Sequence, residues 1–234
     1  MDKKKLRAWL LIILFFLVLA VIGYFLSPQA KRHQAKKLQA QAQEKIARGD
    51  YLEGEIYLRK AIEKEPNNSE LRVQLGEVLE KQGVLEEAKE EYLRAFELKP
   101  EPEPRYKAGM VLLKQGKREE AEKLFEENLS EYPEHIPTLY QLGWLNARVG
   151  KFEQAKEYFQ KIIKLKPDEA EAYNNLGFCL YNLGQPEQAK EMFEQALKLR
   201  PNFPEAKKSL EMIEKELEEK EQKIESNQTC PVCE

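Results

Sequence analysis

The stretch of sequence that decides the fold is residues 170–203, AEAYNNLGFCLYNLGQPEQAKEMFEQALKLRPNF. Two helical patterns lie on either side of Gly184, and Pro201 follows the second. Apolar or small residues recur at helical spacing on one face of each pattern: Tyr173, Leu176, Gly177 and Leu180 on the first, and Ala189, Phe193, Ala196 and Leu197 on the second. This spacing predicts a hairpin of two helices that bury facing apolar sides.

The same pattern occurs four more times upstream. Prolines recur with spacings of 34, 33, 34 and 34 residues, at Pro66, Pro100, Pro133, Pro167 and Pro201. A turn glycine recurs as Gly49, Gly83, Gly116, Gly150 and Gly184. Each first helix has a small residue where the helices cross, namely Ala42, Gly76, Gly109, Gly143 and Gly177. The second helices contribute Gly54, Ala88, Ala121, Ala155 and Ala189, each followed four residues later by Leu58, Tyr92, Phe125, Phe159 or Phe193. Small residues allow two backbones to approach closely, and the large residue fills the space beside them.

This repeated pattern closely resembles the tetratricopeptide repeat (TPR) family. The resemblance implies an all-α, right-handed TPR solenoid of five helix-turn-helix repeats, at residues 35–68, 69–101, 102–135, 136–169 and 170–203. Residues 204–225 carry an apolar stripe and resemble the capping helix that usually follows such an array. Residues 226–234 have no core-forming pattern, so we predict a flexible tail.

Two copies depart from the pattern. The first has Gln41 and Gly54 where other copies have leucine and alanine, as is common in terminal repeats. The third has lost one linker residue and has Arg105, Ala108 and Asn128 at positions that are usually apolar. We therefore predict that the third copy is the least stable part of the array.

The N-terminal sequence predicts one transmembrane helix. An apolar run of 19 residues, 8–26, follows a basic head at residues 1–7 and precedes a linker at residues 27–34. At about 1.5 Å per residue such a helix matches the hydrocarbon core of a bilayer. A cleaved signal peptide is the alternative, although its apolar region is usually shorter. Lysine and arginine flank both ends of the run, and we expect the head inside and the repeats outside the cytoplasm, at a bacterial inner membrane.

Composition argues against a nucleic-acid-binding protein and against an enzyme. The formal net charge is −3, and the 34% of charged residues are mixed in sign rather than clustered as a basic surplus. The sequence has no glycine-rich phosphate loop, no His-Glu-x-x-His pair and no nucleophile elbow. We predict a binding protein without a catalytic site and without a cofactor of its own.

Cys230 and Cys233 form the one reactive-looking motif, Cys-Pro-Val-Cys. A redox site needs the first cysteine at a helix N-terminus, and only Glu234 follows this motif in the sequence. Zinc needs four ligands, so a zinc site here requires a second pair from another chain and thus a homo-oligomer. A tail disulfide and a free dithiol remain the alternatives. Cys179 lies within a helical pattern and is interpreted as a small packing residue.

The resemblance also implies where a partner binds. In the family, the first helix of each repeat lines a concave groove, and its fifth, ninth, twelfth and thirteenth residues meet ligands. At these positions this chain has a set of large apolar or aromatic residues, Tyr106, Met110, Tyr140, Trp144, Phe178 and Tyr181, and a set of basic residues, Lys81, Lys114 and Arg148. We predict that they bind a protein or peptide partner with acidic groups or a terminal carboxylate. The alternative is that the aromatic residues pack against neighbouring repeats.

The sequence thus predicts a membrane-anchored scaffold that supports assembly of a membrane-associated complex. One alternative is a metal- or thiol-dependent module that uses Cys230 and Cys233. Membrane-anchored TPR proteins of lipopolysaccharide assembly have two such cysteine pairs and a cytoplasmic repeat body, whereas this sequence has one pair. Another alternative is a structural subunit of a large membrane complex.

Overall fold

The computed structural model of the chain describes residues 14–17, 23 and 27–228. Every regular element between residues 27 and 228 is an α-helix. The first six are α1 (Pro28–Ala47), α2 (Tyr51–Lys64), α3 (Ser69–Gln82), α4 (Leu85–Leu98), α5 (Pro102–Lys114) and α6 (Arg118–Glu131). The remaining five are α7 (Ile136–Arg148), α8 (Phe152–Leu165), α9 (Ala170–Asn182), α10 (Pro186–Leu199) and α11 (Pro204–Gln228).

The chain forms two compact units, residues 1–121 and 122–234. In unit 1, α1 packs on α2 and α3 on α4, and the hairpins are joined because α2 also packs on α3 and α4 on α5. In unit 2, α7 packs on α8 and α9 on α10, with further contacts of α8 with α9 and of α10 with α11. Each unit is therefore a series of helix hairpins in which consecutive helices are neighbours.

Glycine makes the tight turn inside each hairpin. The turn glycines have φ between +74° and +85°, and they are Gly49, Gly83, Gly116, Gly150 and Gly184. This left-handed region is costly for a residue with a Cβ atom, and it is a common way to end a helix. At Gly83, for example, the amide of the glycine donates to the carbonyl oxygen of Glu80, and the chain then enters α4 within two residues.

The hairpins cross where small residues were predicted. Ala42, Ala88, Ala121, Ala155 and Ala189 are fully buried. The large residues that follow on the second helices are buried as well, namely Leu58, Tyr92, Phe125, Phe159 and Phe193. A Cβ atom at Gly143 would lie 2.8 Å from Cζ of Phe159, and one at Gly76 would lie 2.7 Å from Cε1 of Tyr92. The glycines are needed because the aromatic rings occupy the space of a side chain.

The N-terminal boundary of the first repeat differs from the prediction. Residues 27–34, which we predicted as a linker, contain Ser27 as a helix N-cap and the first turns of α1. The Ser27 hydroxyl accepts a hydrogen bond from the amide of Ala30 at 3.2 Å, and Pro28 stands where proline is favoured. Ala30 and Ala35 are buried, so the helix gains packing before residue 35. At the other end α11 extends to Gln228, past the predicted limit of 225 and into the first residues of the predicted tail.

The polar residues of the third repeat are buried with polar or aromatic neighbours. The Arg105 guanidinium lies 3.7 Å from the centre of the Phe96 ring. Asn128 is fully buried, and its amide nitrogen donates to Oγ1 of Thr138 at 2.9 Å. Nδ1 of His135 lies 2.7 Å from the same hydroxyl oxygen. These contacts give the Arg105 guanidinium an aromatic partner and the Asn128 amide nitrogen a polar one, at positions where most of the other repeats have apolar side chains.

The predicted membrane segment is mostly outside the described residues. Of residues 8–26, the structure describes 14–17 and 23, which are helical, and the basic head 1–7 is outside as well. Among the residues that are described, no helix has both the length and the apolar character needed to cross a membrane.

Candidate functional site

The predicted partner-binding residues are divided between the two units. In unit 1, Lys81 lies on α3, and Tyr106, Met110 and Lys114 lie on α5. In unit 2, Tyr140, Trp144 and Arg148 lie on α7, and Phe178 and Tyr181 lie on α9.

Three of the predicted residues in unit 2 line one cleft. The unit 2 cleft has a volume of about 500 Å³, and Trp144, Arg148 and Phe178 lie in its wall. The other lining residues come from five helices: Ala147, Phe159, Asn174, Asn175, Phe193, Glu205 and Ser209. The first helices α7 and α9 and the capping helix α11 thus form the sides, and the buried rings of α8 and α10 form part of the base.

The aromatic residues of this cleft are unusually accessible. Trp144 is 48% exposed and Phe178 is 49% exposed. They occupy equivalent positions in successive repeats, 34 residues apart. A further 34 residues along, on α11, Met212 is also 49% exposed. Sequence reasoning missed Met212 because it assigned α11 only a capping role, although the repeat spacing extends to this residue.

The positions of both aromatic rings are supported by neighbouring side chains. The Arg148 guanidinium lies 4.6 Å from the centre of the Trp144 ring, one turn along α7. The Phe152 ring packs edge-on against Phe178 with centroids 6.0 Å apart. Within the described part of the chain, no carboxylate lies within ion-pair distance of Arg148. The cleft therefore presents large apolar surfaces beside a cation whose charge is not neutralised by a salt bridge.

Polar groups in and near the cleft have unused hydrogen-bonding capacity. The amide oxygen of Asn174 is buried and accepts no hydrogen bond from the described residues. The hydroxyl of Tyr140 is likewise buried without a partner there. Burial, and then the charges of Glu169 and Glu171, raise the pKa of Tyr140, so its hydroxyl stays protonated. The Tyr140 ring packs 6.2 Å from Phe159, which agrees with the packing alternative for this residue.

Tyr181 is engaged with the capping helix. Its hydroxyl donates to a carboxylate oxygen of Glu216 on α11 at 2.8 Å. This hydrogen bond and the carboxylate charge raise the pKa of Tyr181. The pKa of Glu216 is lowered by Lys220 first and by Tyr181 second. Tyr181 therefore links α9 to α11 through its hydroxyl.

The corresponding surface of unit 1 has more charged residues. A cleft of about 600 Å³ is lined by Gln43, Ile46, Ala47, Tyr51, Gln74, Glu77, Val78, Glu80, Lys81 and Lys107. Lys107 pairs with Glu77 at 3.1 Å, and the predicted residue Lys114 pairs with Glu80. Tyr106 and Met110 are half-buried, and Lys81 is exposed. Because Lys107 and Lys114 are paired with carboxylates, this surface offers less free positive charge than the prediction assumed.

The cysteine motif is outside the described residues. Cys230 and Cys233 both fall in residues 229–234, and the zinc site shared between chains stays a prediction. Among the residues that the structure describes, no group of three or more histidine, cysteine, aspartate or glutamate side chains could hold a metal ion. Cys179 is buried on α9, and burial raises the pKa of its thiol to about 12, so this thiol is a packing group of low reactivity.

The pairs of helices, each with a glycine turn and a small-on-large crossing, define a helical-repeat protein. Two family models described as tetratricopeptide repeat match the chain, one at residues 45–110 and 146–213 and the other at residues 101–168. The chain belongs to the tetratricopeptide repeat family. No curated protein sequence matches it.

Solved structures of other repeat proteins have a similar fold. A MamA fragment from Desulfovibrio magneticus RS-1 is 26% identical, with a TM-score of 0.60 over 72% of this chain and 96% of its own. PilF from Pseudomonas aeruginosa is 21% identical, with a TM-score of 0.66 over 82% of this chain and 88% of its own. YrrB, described as a TPR protein with an unusual peptide-binding site, is 20% identical, with a TM-score of 0.57 over 72% of this chain and 88% of its own. For PilF and YrrB the likeness is one of fold.

Proposed function

We propose that the protein is a membrane-anchored TPR scaffold that docks a protein or peptide partner in the unit 2 cleft and supports assembly of a membrane-associated complex. The observation that carries this proposal is the pair of nearly half-exposed aromatic rings, Trp144 and Phe178, at equivalent positions of α7 and α9. Large aromatic side chains that are exposed in the unbound protein often contribute most of the binding free energy when a partner covers them.

The cleft chemistry indicates what the partner presents. Trp144 and Phe178 suit apolar or aromatic side chains, and Arg148 suits a carboxylate. An extended or helical peptide with an apolar anchor and a nearby acidic group fits this set. The fold likeness to YrrB, which is described as having a peptide-binding site, agrees with this assignment.

Peptide binding to the purified full chain tests the site. Peptides selected by display are expected to carry apolar anchors and an acidic residue, and Trp144→Ala or Phe178→Ala should each weaken their binding by about 2 kcal/mol, or roughly thirtyfold. Val149→Ala is the matched control, because Val149 is 51% exposed but does not line the cleft. Calorimetry measures the affinities, and circular dichroism checks that each variant folds. Equal affinities for all three variants and the parent would show that peptides bind elsewhere.

Membrane attachment is the second part of the proposal. The support is the apolar sequence at residues 8–26, which contains no charged residue and directly precedes α1. We place the repeats outside the cytoplasm of a bacterial cell, on the side away from the basic head. Protease digestion of intact cells with a permeable outer envelope checks this placement: degradation of the repeats agrees with it, and protection until the inner membrane is opened contradicts it.

A further inference from the structure

The outer surface of α2 differs from the outer surfaces of the other second helices. Leu52 and Ile56 lie one turn apart on the same face, and they are 68% and 44% exposed. The repeat spacing identifies the two equivalent positions in the other repeats as Glu86 and Glu90, Glu119 and Lys123, Glu153 and Glu157, and Glu187 and Glu191. Four second helices thus have charged residues at both positions, and α2 has apolar residues at both.

A single exposed apolar residue needs no explanation, but this pair is different. The fold accepts charged side chains at these positions, as the other four second helices show. Packing within the repeat therefore does not require Leu52 and Ile56. A surface that contacts something apolar outside the repeat accounts for both residues together.

Charge and chain position indicate what that contact is. Residues 28–64, which form the α1–α2 hairpin, contain nine lysine or arginine residues and five acidic residues, in a chain whose formal net charge is −3. Lys31, Lys36 and Lys37 are exposed on α1, and none pairs with a carboxylate among the described residues. The apolar sequence at residues 8–26 ends immediately before this hairpin. A positively charged surface next to a membrane segment is attracted to anionic lipid headgroups.

We propose that the α1–α2 hairpin rests on the surface of an anionic lipid bilayer, with Leu52 and Ile56 at the boundary between headgroups and acyl chains. This proposal rests on the membrane attachment described above. Lys60 continues the same stripe one turn beyond Ile56, where its ammonium group can reach lipid phosphates while its stem covers apolar surface. The exposed carboxylate of Glu53 is paired with Lys45, which reduces its repulsion from the anionic surface.

Two apolar side chains are too few to hold a soluble protein on a bilayer. A chain already attached at residues 8–26 makes the second contact intramolecularly, so the hairpin faces a high local concentration of lipid. Weak apolar insertion and weak electrostatic attraction are then sufficient to orient the first repeat. Leu52 and Ile56 could instead contact a second copy of the chain or a different protein, and the test must distinguish these contacts from contact with the bilayer.

The test uses the full chain with Cys179→Ala, Cys230→Ser and Cys233→Ser, and one environment-sensitive NBD label. The label is placed at Ile56→Cys or, as the matched control, at Glu157→Cys, the equivalent position on α8. Both proteins are reconstituted into vesicles of phosphatidylcholine and phosphatidylglycerol that contain a lipid with a nitroxide near the headgroup. We expect the label at 56 to be quenched about threefold more than the label at 157, and phosphatidylcholine alone should reduce the difference.

A second variant tests whether the extra quenching at position 56 requires the apolar side chain of Leu52. Leu52→Glu in the Ile56→Cys protein introduces the residue that the other four repeats have at this position, so the fold should hold while the extra quenching is lost. Equal quenching at 56 and 157 in protein that floats with the vesicles would overturn this proposal alone. Protein that does not float with the vesicles would overturn the membrane attachment as well. Energy transfer between labels at 56 on different copies, without lipid quenching, would show that this surface of α2 contacts a second copy of the chain and not the bilayer.

Discussion

At the scale of single residues, Gly143 and Phe159 determine how closely α7 and α8 pack. A Cβ atom at Gly143 would lie 2.8 Å from Cζ of a ring that is almost fully buried. Overpacking of this kind costs about 1–3 kcal/mol, and the better helix propensity of alanine offsets about 1 kcal/mol. We expect Gly143→Ala to lower the free energy of unfolding by up to about 2 kcal/mol in urea titrations.

A double mutant shows whether the cost of Gly143→Ala comes from the clash with the Phe159 ring or from some other effect of the substitution. Phe159→Leu alone should destabilise the protein, because it leaves space beside Gly143. In the Phe159→Leu background, Gly143→Ala should cost less than it does in the parent, because the alanine methyl group occupies that space. Strictly additive effects of the two substitutions would contradict the crossing geometry.

The contacts of Glu80 predict that its ionised carboxylate makes the stability of the folded protein depend on pH. Partial burial raises the pKa of Glu80, but the hydrogen bonds from Lys114 and Tyr92 lower it more, so the pKa lies below its ordinary value. A lowered pKa in the folded state stabilises the protein above the unfolded pKa, and this contribution is lost as the pH falls through the folded pKa. Glu80→Gln should therefore destabilise the protein at neutral pH and reduce the loss of stability between about pH 6 and about pH 3.

Urea midpoints at both pH values measure this difference. Glu157→Gln serves as the control, because Glu157 is exposed on α8 and has no recorded salt bridge in the described residues. The control should leave the acid dependence of the parent unchanged. If Glu80→Gln loses as much stability as the parent on acidification, the Lys114 and Tyr92 contacts do not stabilise the ionised carboxylate.

At the scale of elements, the third repeat is the exception among the copies. Asn128 is buried where the other four repeats have alanine or isoleucine, and its partner is Thr138. Arg105 is buried against Phe96 where three of the other four repeats have an apolar residue and the second repeat has Arg72. Polar contacts of this kind add less to stability than apolar packing does. Amide hydrogens of residues 102–135 should exchange faster than those of residues 136–203. Slower or equal exchange in residues 102–135 would contradict this ranking.

The sequence predicted helices and turns well where a particular residue type at one position determines the local structure. Turn glycines and small-on-large crossings require particular residue types, so five hairpin turns could be placed from Gly49 to Gly184. The start of α1 was missed because residues 27–34 contain no apolar pattern and the local helix-start signal of Ser27 followed by Pro28 was not used. The burial of Ala30, in contrast, depends on packing against other helices. The exposure of Met212 on α11 was missed because the capping helix was not treated as part of the repeat surface.

At the scale of the whole molecule, the predicted binding residues do not form one uniform set. In unit 1, Lys114 is paired with Glu80, and charged residues from α3 and α5 line the cleft there. In unit 2, Trp144, Arg148 and Phe178 share one cleft. The position of each residue within its repeat could be predicted from sequence. Its salt-bridge partners and its exposed area could not, because they depend on side chains from several helices. The candidate site therefore contains fewer residues than the predicted one.

Photo-cross-linking in living cells tests the central claim most directly. A photoreactive phenylalanine analogue replaces Phe178 in the cleft or, as the control, Leu199, which is 41% exposed on α10 and does not line the cleft. We predict a defined cross-linked partner from position 178, identified by mass spectrometry, that is lost in Trp144→Ala and is not obtained from position 199. The same products from both positions, or products from 178 that Trp144→Ala leaves unchanged, would contradict docking in the unit 2 cleft.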